Sequence, residues 1–136
     1  MSETSLRIAG VLLITVPTIA FGGATLLKMI WGRDPGYLDN PVRQSLWRAG
    51  HAHAGVLVIL ALVGMLYVDR AGLSAALETL VRYLLVAAPI LMPLGFFLSV
   101  ASPQAERPNR LIYLVPAGGL SLTIGALALG IGLVTA

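Results

Sequence analysis

The sequence predicts an all-α integral membrane protein, a four-helix bundle whose helices each cross a bilayer. Three observations lead there. The chain is 57% hydrophobic and only 11% charged, where a soluble domain carries about 25% charged residues. Its mean hydropathy is +0.89. Apolar stretches long enough for a hydrocarbon core of about 30 Å recur four times along its 136 residues. The chain reads as one four-span transmembrane domain, residues 1–136, with spans at about 6–31, 47–68, 73–102 and 110–136.

The first span follows a short polar start, Met1 to Leu6. That start lacks the basic region and small-residue cleavage site of a secretory signal, so the span is read as retained. From Ile8 to Leu27 no residue is charged. Pro17, Gly22 and Gly23 lie inside this run, and a span tolerates them where neighbouring helices cover the freed backbone. Lys28 to Arg48 is the longest polar connection. Gly32, Pro35, Gly36, Asn40 and Pro41 make it a turning segment, and Trp31, Tyr37 and Trp47 suit an interfacial aromatic belt. Ala49 to Val68 is the second uncharged run. Asp69-Arg70-Ala71-Gly72 is a tight turn.

The third span opens with Glu78 and Arg82, an i,i+4 pair on one helical face, read as a neutralised interfacial pair. Pro89 and Pro93 sit mid-span. Each removes a donor and clashes with a preceding carbonyl, so a kink is expected there. Pro103 to Arg110 is a polar loop. The fourth run carries Ser121/Gly125, Ala126/Gly130 and Ala128/Gly132, small residues four apart that allow close helix approach in lipid.

The formal charge of +3 is no nucleic-acid signature, because the charges cluster between apolar runs. The absence of cysteine excludes disulfides, thiolate catalysis, iron–sulfur ligation and c-type haem attachment. More cations lie in the connections after spans one and three than at the other end, so the positive-inside rule puts both termini outside.

Both histidines lie in Trp47-Arg48-Ala49-Gly50-His51-Ala52-His53-Ala54-Gly55, expected at the head of span two. An ionisable residue there is a functional-site hypothesis by default, and imidazole is a common ligand for transition metals and haem iron. Two positions on an α-helix are about 200° apart, so His51 and His53 face nearly opposite sides. They do not chelate one metal together but can serve two separate flanks. Gly50, Ala52, Ala54 and Gly55 leave room for a flat group beside the helix. Arg43 and Arg48 stand on the polar side, where guanidinium groups can pair with haem propionates. The alternative is structural: histidines bonded to backbone or headgroups, in a small-residue packing seam. Met29, Met65 and Met92 read as packing, though methionine can ligate haem.

The run Gln44 to Leu60 resembles the start of the second transmembrane helix in subunit I of the haem–copper oxidases and nitric oxide reductases. In that family this helix opens with a histidine that is an axial ligand of the low-spin haem. Another of its helices carries a His-x-His motif serving two haems on opposite flanks, and His51-Ala52-His53 is similar to that as well. The resemblance implies haem b held by His51 and His53. It does not extend to the copper site, since no third histidine exists, so oxygen reduction by one chain is not implied. The family places the head of this helix on the outer side, opposite to the charge rule. Its subunit I has pseudo-symmetric four-helix arcs, an arrangement that a four-span chain can mimic as a homotrimer.

The expected function is therefore haem binding in a lipid bilayer, for electron transfer or gas-ligand chemistry. The redox partner is unspecified, and the cell inner membrane is the expected location. A regular helix cannot place both histidines on one iron, so a haem site completed by a second chain is expected, in a homotrimer first and a dimer next. Two other classes stand beside it. One is a non-enzymatic membrane subunit or assembly factor with structural histidines. The other is a proton or metal-ion transporter, for which the fourth run offers only Ser121 and Thr123 as polar lining.

Overall fold

The computed structural model describes all residues, Met1–Ala136. It is all-helical: α1 Glu3–Trp31, α2 Pro35–Leu38, α3 Pro41–Tyr67, α4 Ala75–Ser99 and α5 Leu114–Thr135. Short 3₁₀ turns at Val68–Arg70 and Arg110–Tyr113 continue α3 and precede α5. Four helices are long and apolar enough to cross a membrane: Glu3–Trp31, Pro41–Arg70, Ala75–Ser99 and Arg110–Thr135. α2 is a single turn in the first connection.

Three of the four long helices begin where the sequence supplies a cap; α5 instead follows the Arg110–Tyr113 turn, with no side-chain cap of its own. Ser2, Asn40 and Ser74 each accept a hydrogen bond from a backbone N–H of the first turn. The second span starts earlier than the expected Trp47. Asn40 caps it and Pro41 occupies its first position, where a missing N–H costs nothing. Read as turn residues, these two are instead a helix start signal. His51 therefore lies ten positions beyond Pro41, about 15 Å down the helix axis, rather than at its head. The third span ends at Ser99, short of the expected 102. Neither Pro89 nor Pro93 ends α4, which is helical throughout.

The helices pack in the order α1, α3, α4, α5; α1 and α4 share no extended interface. α5 lies tightly on α4 through a seam of small residues. A Cβ on Gly118 would stand 3.0 Å from the backbone nitrogen of Met92, and one on Gly125 3.1 Å from Cβ of Leu84. Ser121 donates to the Leu84 carbonyl at 2.8 Å. Close approach of this kind is what holds helices together where lipid is as apolar as leucine. Ser121 and Gly125 from the expected pairs are buried in this seam and Gly132 against Ala71 and Leu73 of the preceding connection, whereas Ala126 and Gly130 face outward. α1 is the least covered span: 11% of its most apolar window is buried, against 33% for α3 and α4.

One end carries both termini and the Val68–Arg70 turn. There a polar cluster ties α1 to the α3–α4 pair. Arg82, only 5% exposed, donates to Asp69, to Glu78 at 2.9 Å and, through Nε, to Ser5 Oγ at 3.0 Å. Ser5 in turn donates to Asp69 at 3.0 Å, and the Ser2 backbone N–H donates to the same carboxylate. The expected Glu78–Arg82 pair is present, with Asp69 as its second and closer carboxylate. Next to it sits the core of Leu12, Val58, Ala61, Met65, Val81 and Leu85.

Candidate functional site

α3 carries both histidines and is packed between α1 and α4. Its two histidines diverge as their spacing dictates. His51 turns toward α1. Its ring lies along Gly22 and Gly23, where a Cβ on Gly23 would stand 3.0 Å from both Cε1 and Nε2. The glycine pair is thus the seat of the imidazole. His53 turns toward Phe96 of α4, with ring centroids 5.0 Å apart. Its Nδ1 lies 2.7 Å from the Ala49 carbonyl. A carbonyl partner requires the proton on Nδ1, which leaves Nε2 as a free acceptor.

His51 has no hydrogen-bond partner at either ring nitrogen, since no bond in the molecule involves it. It lines a cleft of about 330 Å³ between α1, α3 and α4. Ala54 and Val58 form the floor with it. Leu12, Ile19 and Gly22 form one wall, and Pro89, Pro93 and Phe97 the other. Thr15 and Thr18 also line the cleft, but their hydroxyls donate to the Leu12 and Thr15 carbonyls, both at 2.6 Å. His51 is therefore the one polar side chain in the cleft that makes no hydrogen bond within the fold.

The arginines divide. Arg43 is 6% exposed. It donates to the carbonyls of Val100 at 3.3 Å, Gly36 at 3.0 Å and Ala101 at 3.4 Å, and stacks over the Trp47 ring at 4.4 Å. All three guanidinium nitrogens bind backbone carbonyls, so Arg43 holds the connections together and does not face the cleft. Arg48 is exposed and uses only Nε, on the Tyr37 hydroxyl at 3.2 Å. The small residues divide too. The space beside Gly50 is filled by Phe96 and Phe97, because a Cβ there would stand 3.0–3.2 Å from them. Ala54 faces the cleft, and around Gly55 nothing lies within 4 Å of an added Cβ.

Trp47 is the residue that sequence reasoning placed elsewhere. It lies one turn before His51 on the same face of α3 and packs edge-on against Phe97 at 5.6 Å. Its Nε1 is buried without a partner. The i,i+4 spacing from His51 was the available signal. No group of three or more His, Cys, Asp or Glu side chains is arranged to hold a metal ion. No protein family, curated protein or solved structure matches this chain.

Proposed function

We propose that this chain is a small multi-pass membrane protein that binds b-type haem, with His51 as an axial ligand, for electron transfer or gas-ligand chemistry. The observation that carries the reading is the imidazole of His51, unpartnered at both nitrogens within an apolar cleft. In a bilayer an unsatisfied polar group costs several kcal/mol by order of magnitude, so such a group is kept for a partner that is not part of the chain.

The residues present fit a haem in kind. The cleft offers apolar walls and one imidazole as a ligand. Arg48, with its terminal nitrogens free, can pair with a carboxylate. Bound haem supplies an iron centre that accepts an electron or a small gas ligand. His51 orients it, and the surrounding side chains keep water from it.

No methionine lines the cleft, so a sixth ligand has to come from another chain. His53 is half-buried with Nε2 free, which supports the homo-oligomeric reading, His51 of one protomer facing His53 of the next. Protein made with ample haem supply is expected to show a Soret band that His51→Leu abolishes. No Soret band in the parent protein would overturn the reading and leave that of a membrane subunit with structural histidines. The contact of His53 with Ala49 and Phe96 favours that second reading for His53 alone.

A further inference from the structure

We infer that His51 is reached from the bilayer, through the mouth between α1 and α4, so that its ligand is loaded from the lipid phase and not from water. The identity of that ligand as haem rests on the function proposed above; the path does not.

The cleft is closed at both membrane faces. Toward the connections, Trp47 and Phe97 meet edge-on, and Arg43 lies over Trp47 with its donors fixed on the Gly36, Val100 and Ala101 carbonyls. Tyr37, wholly buried, packs into the same end. Toward the termini, Leu12, Val58 and Leu85 are at most 6% exposed, and behind them stands the Ser5–Asp69–Arg82 cluster.

The open side is lateral. α1 and α4 share no extended interface, and the lips of the gap are Val11, Thr18, Ile90 and Leu94, all exposed on the outer surface of the bundle. Three of these four are apolar. The hydroxyl of the fourth is tied to its own helix. A charged or hydrated molecule finds no polar partner along this route before His51. An acyl chain fills the walls but offers nothing to the imidazole. A flat macrocycle with apolar faces and a metal at its centre satisfies both.

The experiment uses the full chain in phosphatidylcholine liposomes. The chain has no cysteine, so Ala54→Cys on the floor and Ile19→Cys on the α1 wall each give a single site for a nitroxide spin label. Collision rates are measured with molecular oxygen, which concentrates in lipid, and with a neutral nickel chelate confined to water. Lateral access predicts oxygen collisions severalfold above nickel collisions at both sites. Nickel collisions equal to or above those of oxygen would show a water path and overturn the inference. Low collision rates with both would show the mouth closed to lipid as well as to water, and overturn it equally. Monodisperse elution and an unchanged helical circular dichroism spectrum qualify each variant, and the two positions back one another if one fails to fold.

In the same liposomes, haem dissolved in the lipid should build the Soret band severalfold faster than haem offered on an aqueous carrier. Equal rates would count against loading from lipid. No band from either source would remove haem as the ligand, while the collision data would still decide the path.

Discussion

The molecule holds two polar clusters on its apolar helices, and they are built in opposite ways. Around Arg82 every group is answered: a guanidinium meets two carboxylates and a hydroxyl, and one of those carboxylates also accepts from Ser2 and Ser5. Around His51 and Trp47 nothing is answered. Neither ring nitrogen of the histidine nor the indole N–H has a partner. All four ion pairs of the molecule lie at the Arg82 end. A satisfied cluster stabilises the fold and asks for no ligand; an unsatisfied one costs stability until something binds. The difference separates structure from function more sharply than residue type does, since both clusters look equally anomalous in an apolar sequence.

The largest expected effect comes from breaking the satisfied cluster. Asp69→Asn removes the closer carboxylate and leaves Arg82 buried with Glu78 alone. Because Glu78 still faces Arg82, the loss stays below the about 3–5 kcal/mol of a buried charge left wholly unpaired. Thermal unfolding in detergent, followed by circular dichroism, should show a large drop in midpoint, and α1 should become protease-sensitive at its N-terminal end. A drop no greater than that of an exposed control such as Glu3→Gln would erase the contrast between the two clusters.

How much of this was legible follows from where the information sits. The four spans were readable because the bilayer demands long uncharged runs, a local property of the chain. The divergence of His51 and His53 was readable from helical geometry alone. Three features were not. The start of α3 was misplaced because Asn40-Pro41 serves equally as a turn and as a helix start, and packing decides between them. Asp69 joins Arg82 across a turn and Ser5 from another helix, 13 and 64 residues away, so no spacing rule connects them. Arg43 was assigned to a ligand on its charge. Its actual partners are backbone carbonyls, which carry no sequence signature. Gly22 and Gly23 were seen as tolerated in a span, while their use as the seat of the His51 ring depends on which helix lies opposite.

The next effects concern the frame around the clusters. Gly118→Leu forces a side chain into Met92 and Leu91, and overpacking of this kind costs about 1–3 kcal/mol. Gly130→Leu points outward, with nothing within 4 Å of its Cβ, and should leave the monomer's unfolding midpoint unchanged. A shift in oligomeric mass on Gly130→Leu, read by mass photometry, would place a protomer contact on the outer face of α5. His51→Leu should act with the opposite sign to Asp69→Asn. It removes a half-buried imidazole that makes no hydrogen bond within the fold, so the ligand-free protein should unfold at the same or a higher temperature. A clear destabilisation would mean that the imidazole already has a partner in the fold.

The smallest effect is the sharpest test of the comparison. Trp47→Phe deletes an indole N–H that makes no hydrogen bond and retains an aromatic ring between Arg43 and Phe97. Two contributions oppose each other. Losing part of the ring surface and weakening the stack with Arg43 costs about 1 kcal/mol. Removing an orphan donor from a buried site returns a similar amount. The net change should lie within about 1 kcal/mol of zero, below what the same substitution costs at a tryptophan whose N–H is bonded. Chemical denaturation in detergent measures it directly. A loss well beyond that range would mean that the indole donates to a bound water or ligand, and the unsatisfied cluster would then extend one helical turn beyond His51, with Trp47 as part of the site.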